Sequence, residues 1–234
     1  MTGALLPGTL SPRPALRYSP FMTFFTKLFL VLFLFASLPV ATPATGQETS
    51  VLPQSPTPWS ATFIQSAREQ IGVTLIYDGS YQRLDFPNGD IPRQRGVCTD
   101  VVIRALRDAH GVDLQALVNH DMKAAFTTYP KIWGLSRTDS NIDHRRVPNL
   151  QTFLKRRGAS LPVTDKAADY LPGDLVTWML PGNLPHIGIV TDQVSDPENR
   201  RPLIVHNIGL GTQMNDILFR YDITGHYRID GTLN

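Results

Sequence analysis

The single cysteine of this 234-residue chain, Cys98, lies at the predicted start of a short amphipathic helix that ends before Gly111. Unpaired backbone N–H groups in the first turn of a helix favour negative charge, so they can lower the pKa of a thiol and hydrogen-bond an oxyanion. This position predicts a nucleophilic thiol of low pKa, or else a small buried apolar side chain. One predicted face of the helix carries Cys98, Val102, Ala105, Leu106 and Ala109.

The N-terminal part of the chain has the layout of a secretory signal peptide. Lys27 precedes an apolar run at residues 28–38, and small residues follow it up to Gly46. The run is shorter than the roughly 20 residues that a helix needs to cross a bilayer, which favours a cleaved signal over a membrane anchor. We expect a leader at 1–46, a flexible linker at 47–58 and one domain at 59–234.

The protein is therefore expected to be periplasmic or secreted, without a stable membrane anchor after cleavage. The whole chain has 22 basic and 20 acidic residues, and loss of the leader's Arg13, Arg17 and Lys27 leaves 19 basic residues. No broad basic surface is predicted, so nucleic-acid binding is not expected. One cysteine forms no internal disulfide, and an unpaired thiol in an oxidising compartment favours a functional role for Cys98.

Helices are predicted in the first part of the domain. Trp59, Phe63, Ala67 and Ile71 recur at helical spacing before Gly72. Three further helices are predicted besides the cysteine helix: one capped by Asp113 through about His120, one capped by Asp121 through about Phe126, and one from about Leu150 to Arg157, with Gly158 after it.

From Leu171 onward the apolar pattern changes to the alternation that is typical of strands. Short Gly- and Pro-containing connections between the runs predict antiparallel neighbours. The predicted fold class is α+β, with N-terminal helices and the nucleophile helix packed on a C-terminal antiparallel β-sheet. Strands are predicted at 175–180, 186–191, 202–208, 217–221 and 226–229.

A cysteine nucleophile needs a base, and two histidines stand at suggestive places. His186 opens the strand HIGIV, where Gly188 shares its face and leaves space for a helix; the alternative is an exposed histidine after a Pro-rich loop. His206 and Asn207 end the next strand, where a polar group can orient the base. Strand alternation puts these two on opposite faces and does not choose between them.

Zinc binding is the competing interpretation of the histidines. His186, His206 and His226 could supply ligands together with Asp or Cys. No pair has the i, i+4 spacing and no tight Cys or His cluster occurs, so neither a metal nor another cofactor is expected.

A polar loop at 134–148 carries Asp143, Arg145 and Arg146. Arginines in such a loop can bind substrate carboxylates through paired hydrogen bonds. A solvated, internally salt-bridged connection is the other interpretation. These three residues are the candidate substrate-binding residues.

The order of the motifs resembles that of NlpC-type cysteine peptidases and amidases, which have a papain-like fold. The superfamily has an Asp-Cys-Ser-Gly-like sequence at the nucleophile, whereas Val97 precedes and Thr99 follows Cys98 here. The resemblance covers residues 63–229. Five motifs together resemble a family of exported bacterial domains of unknown function placed in that superfamily: GVCTDVVIRAL, NIDHRRVPNL, PGDLVTW, HIGIV and VHNIG.

The resemblance implies a catalytic Cys98 and His186 and, as third residue, His206 rather than Asn207. It also implies action in the cell envelope on amide or peptide bonds, with peptidoglycan stem peptides or another envelope amide as substrate. We therefore expect a cysteine hydrolase that forms a thioester. The alternatives are a non-catalytic peptidoglycan-binding module of the same fold and a thioester-dependent acyltransferase. The sequence gives no indication of oligomeric state.

Overall fold

A computed structural model describes residues 55–195, 198, 200–231 and 233. The predicted leader and most of the predicted linker lie outside the described residues. The predicted linker ends where the first helix begins, because Thr57 caps that helix by accepting a hydrogen bond from the N–H of Ser60. Among the described residues, no helix has the length and apolar composition needed to span a bilayer.

The described chain is α+β, with four helices that precede most of the strands. Gly111 has a φ of 66° directly after the cysteine helix, a left-handed conformation that glycine adopts without strain, which ends the helix as predicted. The helices are α1 (Pro58–Arg68), α2 (Cys98–His110), α3 (Leu114–Ala125) and α4 (Val147–Arg156).

A six-stranded antiparallel sheet forms the C-terminal part of the fold, in the order β3-β8-β4-β5-β6-β7. A separate pair of short strands, β1 and β2, runs parallel beside the entrance to the cysteine helix. The strands are β1 (Ile76–Tyr77), β2 (Arg95–Gly96), β3 (Ser160–Leu161), β4 (Leu175–Leu180), β5 (Leu184–Val194), β6 (Pro202–Asn207), β7 (Thr212–Asn215) and β8 (Asp222–Tyr227).

Alternation along the central strand β5 separates two apolar cores. Ile187 and Ile189 belong to the core that the helices share with one sheet face, and Cys98 is part of that core. Val190 belongs to a second core on the other face, together with Trp178. Since His186 pairs with Trp178 across β4 and β5, its side chain lies on this second face.

Two of the predicted elements were wrong. A second helix capped by Asp121 does not form, because α3 continues through this residue and the Asp121 carboxylate accepts hydrogen bonds from Tyr129 and Arg156 instead. The predicted strand at 217–221 is also absent: Ile217 and Leu218 pack into the second core, and the edge strand lies earlier, at Thr212–Asn215.

Candidate active site

Cys98 is the first residue of α2 and lies at the floor of a cleft, where its side chain is 4% exposed. The carboxylate of Asp100 accepts a hydrogen bond from the N–H of Val97 at 2.7 Å and fixes the chain as it enters the helix. The sulfur lies beside the backbone N–H groups of Ile187 on β5 and of Thr99 in the first helical turn. A negative charge that develops at this point would meet N–H donors from two elements.

Burial raises the pKa of the Cys98 thiol to about 11, opposite to the low value that the helix start predicted. The charge of Asp100 also raises the pKa, while hydrogen bonds from the N–H groups of Ile187 and Thr99 lower it without outweighing burial. The thiol is therefore protonated at neutral pH, and any reaction at the sulfur would have to remove that proton.

Three side chains on adjacent strands form a hydrogen-bonded chain on the second face of the sheet, opposite the core that contains Cys98. Nε2 of His186 lies 3.1 Å from Nδ1 of His206, and Nε2 of His206 lies 3.2 Å from Oδ1 of Asn215. The two imidazole planes are nearly perpendicular, at 86°. Of the two candidates for a third residue, the structure therefore brings His206 to His186.

The chain of contacts orients the protons on both rings. The oxygen Oδ1 of Asn215 accepts, so Nε2 of His206 carries a hydrogen and its Nδ1 accepts from Nε2 of His186. The remaining nitrogen, Nδ1 of His186, is then a bare acceptor. This is the protonation state that a general base for a thiol requires.

Both imidazoles are neutral because they are buried. Burial lowers the pKa of His186 to about 3, with a further decrease from the neighbouring His206. Burial also lowers the pKa of His206 to about 4, while its hydrogen bond to Asn215 acts in the opposite direction. The site at neutral pH thus contains a thiol and two uncharged rings rather than a thiolate–imidazolium pair.

Gly188 does not make room for the cysteine helix, as the sequence suggested, but for the neighbouring strand. A Cβ at this position would lie 2.5 Å from a methyl carbon of Ile204 and 3.2 Å from Cβ of His206. The absent side chain therefore gives the His206 side chain the space beside β5. The helix packs on the other face, against Ile187.

The thiol and the imidazole lie on opposite faces of the sheet, on either side of the His186–Ile187 peptide. The sulfur contacts the N–H of Ile187, which follows His186 directly in the chain. No hydrogen bond joins the sulfur to the imidazole in the part of the chain that the structure describes. A direct proton transfer between them therefore requires a conformational change that brings the His186 ring to the sulfur.

Asn207 serves the opposite side of β6. Its side chain is fully buried, donates to the carbonyl of Gly96 at 3.1 Å and accepts from the N–H of Gly209. These bonds tie the end of β6 to the strand that leads into Cys98. Asn207 thus holds the backbone that leads into Cys98.

Arg145 uses its guanidinium within the protein. It donates to both carboxylate oxygens of Asp100 at 2.9 Å, and to the carbonyls of Asp78 at 3.0 Å and Ser80 at 3.3 Å. The side chain is buried, its ion pair joins the segment at 143–145 to the cysteine helix, and its bonds to the two carbonyls add the loop that follows β1. Sequence reasoning had no signal for this pairing across 45 residues.

Arg146 and Asp143 lie on the wall of the cleft or just behind it. The guanidinium of Arg146 is 4.1 Å from the ring centroid of Trp133 and donates to Asp143 at 3.2 Å. Asp143 is buried, and burial raises the pKa of its carboxyl group. Arg146 lines the cleft, whereas the Asp143 carboxylate faces inward.

The cleft above Cys98 has a volume of about 650 Å³, within the range that small-molecule sites span. Its walls come from three separate segments, around residues 77–81, 132–148 and 183–185. One lining residue that sequence reasoning missed is Tyr77, which pairs with Gly96 just before the nucleophile. Burial raises the pKa of Tyr77 to about 12, with a contribution from Cys98, so its hydroxyl is a neutral donor near the sulfur.

Metal-binding residues do not converge at this site or elsewhere in the described ranges, where no group of three or more His, Cys, Asp or Glu side chains could hold a metal ion. His226, which the zinc interpretation needed, lies between Asp174 and the carbonyl of Pro162.

Comparison with known proteins connects the chain to a family without an assigned activity. Residues 64–229 match DUF1287, a domain of unknown function. The chain is also 52% identical to the uncharacterized protein YijF of Escherichia coli strain K12 over an alignment of 162 residues. This alignment covers 69% of this chain and 78% of the relative. The match with DUF1287 includes Cys98, His186, His206 and Asn215.

Proposed function

We propose that this chain, which belongs to the DUF1287 family, is a cysteine hydrolase that cleaves an amide bond through a thioester and shares the papain-like fold of NlpC-type enzymes. The observation that carries the proposal is the directed chain from Asn215 through His206 to His186, which leaves Nδ1 of His186 as an acceptor in the residue directly before Ile187, whose N–H contacts the Cys98 sulfur.

The proposed cycle begins with a neutral thiol. His186 takes the thiol proton while the sulfur bonds to the carbonyl carbon, and the oxyanion receives hydrogen bonds from N–H groups at the start of α2 and from Tyr77. The C–N bond then breaks, and His186 gives its proton to the leaving amine. Water cleaves the thioester, releases the carboxylic acid and restores the thiol.

Two features support a base that works during the attack rather than a preformed ion pair. The raised pKa of Cys98 and the lowered pKa of His186 both disfavour charge before substrate arrives. A buried neutral thiol is also less prone to oxidation, because the thiolate is the reactive form. This fits the proposed location in the periplasm or outside the cell.

The resemblance to NlpC-type enzymes suggests envelope amides, including peptidoglycan stem peptides, as substrates. Purified sacculi incubated with the protein and with a Cys98→Ala variant, followed by mass analysis of released fragments, test this. Fragments released by the wild type alone support a hydrolase. Retention of both proteins on sacculi without fragments indicates a binding module, and products joined to an added amine indicate an acyltransferase.

A further inference from the structure

The lining of the cleft above Cys98 is apolar, although it opens to solvent. Three large side chains on separate segments are more than half exposed at its rim: Ile132 at 71%, Tyr81 at 61% and Leu184 at 60%. Scattered exposed apolar residues are ordinary, but apolar side chains that converge on one concavity mark a ligand-binding groove. The rest of the lining includes Tyr77, Trp133, Ile142, Val147, Pro148 and Pro185.

The charged groups of the lining have partners within the protein. Arg145 is bonded to Asp100 and to two carbonyl groups, so it has little capacity left for a substrate carboxylate. Arg146 stacks on Trp133 and donates to Asp143. A substrate bearing several carboxylates, such as a peptidoglycan stem peptide, would lose water on entering this cleft and gain few partners, which favours an uncharged envelope substrate over stem peptides.

We propose that the cleft binds an uncharged, apolar acyl chain and presents its carbonyl carbon to Cys98. This inference rests on the proposed function and names the substrate class of the same site. An acyl chain of several carbons fits a cleft of about 650 Å³, and its burial against the rim removes apolar surface of both partners from water.

Aryl esters with acyl groups of increasing length test the proposal, since they share one leaving group. The sulfur bonds to the acyl carbon as the C–O bond breaks, the thiol proton passes through His186 to the leaving oxygen, and water then releases the acid. We expect kcat/KM to rise by roughly two- to fourfold per methylene from acetyl to octanoyl. A hexanoyl ester should exceed its adipoyl counterpart, which ends in a carboxylate at the same length, by at least about tenfold.

Rim variants and a matched control localise the effect. Ile132→Ser and Leu184→Ser change exposed side chains of the rim, and each should reduce the octanoyl-to-acetyl ratio of kcat/KM by about threefold or more. Leu210→Ser is the control, because Leu210 is 79% exposed and does not line the cleft. It should leave the ratio unchanged.

The outcomes separate this inference from the proposed function. Absence of Cys98-dependent turnover with every ester, tested against Cys98→Ala, would contradict the hydrolase itself. Turnover that is independent of chain length would overturn the apolar acyl site and leave the hydrolase standing. Preference for the adipoyl ester that is lost in Arg146→Gln would also overturn it, by showing that Arg146 binds a carboxylate.

Discussion

Two buried histidine systems lie in the same sheet and differ in what their ring nitrogens contact. His186 contacts His206 through Nε2 alone, within a chain of uncharged groups. In contrast, both nitrogens of His226 are engaged, Nε2 at 2.7 Å from Asp174 and Nδ1 at 3.2 Å from the carbonyl of Pro162. Asp174 also receives two hydrogen bonds of 2.7 Å from Arg228.

The difference lies in whether a ring nitrogen lacks a hydrogen-bond partner. Both nitrogens of His226 face oxygen atoms, one of a carboxylate and one of a carbonyl group. Within the described residues, Nδ1 of His186 has no hydrogen-bond partner and can accept a proton. The partners of a buried histidine therefore indicate its role better than its burial does.

The largest predicted difference between the two histidine systems is the change in kcat when each histidine is replaced by alanine. His186→Ala should lower kcat on an aryl ester by about 10²–10⁴, because the base that takes the thiol proton is removed. His226→Ala should leave kcat nearly unchanged when activity is measured at a temperature well below the midpoint of thermal unfolding of the variant. Circular dichroism on both variants establishes that they are folded.

The order of the two variants should reverse in stability: His226→Ala should lower the free energy of unfolding more than His186→Ala does. His226→Ala removes a hydrogen bond to the buried carboxylate of Asp174 and should lower the free energy of unfolding in urea by about 1.5–3 kcal/mol. A loss of activity in His226→Ala that exceeds the loss in His186→Ala would show that the roles are assigned the wrong way round.

Local patterns in the sequence predicted the elements that carry the nucleophile. The apolar spacing after Cys98 and the glycine at position 111 predicted both ends of α2, and the strand at Leu175–Leu180 follows from its own residues. The resemblance favoured His206 over Asn207 as the partner of His186, but strand alternation alone could not decide, because the answer depends on the pairing of Val190 with Ile204 across β5 and β6.

The sequence pattern did not indicate the roles of residues whose partners lie far away along the chain. Arg145 was predicted to bind substrate, but its pairing with Asp100 depends on how the loop at 143–145 packs against α2. Tyr77 lies in a two-residue strand that is too short for a periodic pattern. Asn215 belongs to an edge strand for which the sequence predicted a later position.

A second prediction concerns the protonation of the Cys98 thiol. Alkylation of Cys98 in the folded protein by iodoacetamide should keep accelerating above pH 9, since its pKa is about 11, whereas the unfolded chain should level off near pH 9. At pH 8 the difference in thiolate population is about a hundredfold. A folded-state titration below pH 8 would mean that His186 forms an ion pair with the thiol and that the neutral chain is wrong.

A third prediction separates the two residues that end β6. His206→Ala should lower kcat by about 10- to 100-fold, because the proton on His186 loses the partner that directs it to Nε2. Asn207→Ala should act chiefly on stability, by about 1–3 kcal/mol, since it leaves the carbonyl of Gly96 without its donor. Asn215 is the exposed end of the hydrogen-bonded chain of side chains, and Asn215→Leu should lower kcat by less than His206→Ala does. Equal losses of kcat in Asn207→Ala and His206→Ala would contradict this division.

The last prediction uses acid to distinguish the neutral chain from the His226 cluster. In the folded protein the pKa values of His186 and His206 are about 3 and about 4, below the ordinary value of 6.5 that they take when unfolded. Below pH 6.5 the unfolded chain therefore binds protons that the folded chain does not, so the stability present above pH 6.5 is lost as pH falls towards 4. Each of the two histidines contributes up to about 1.4 kcal/mol per pH unit, and His144, whose pKa burial also lowers to about 3, adds to the same slope.

Urea unfolding at pH 7.5, 6.5, 5.5 and 4.5 measures the slope. In His206→Asn the slope should decrease by about one proton, while His226→Ala should keep the steep acid loss on a lower baseline. A wild-type stability that stays level between pH 6.5 and 4.5 would show that the imidazoles of His186 and His206 accept protons in the folded protein, and the contrast between the two histidine systems would then disappear.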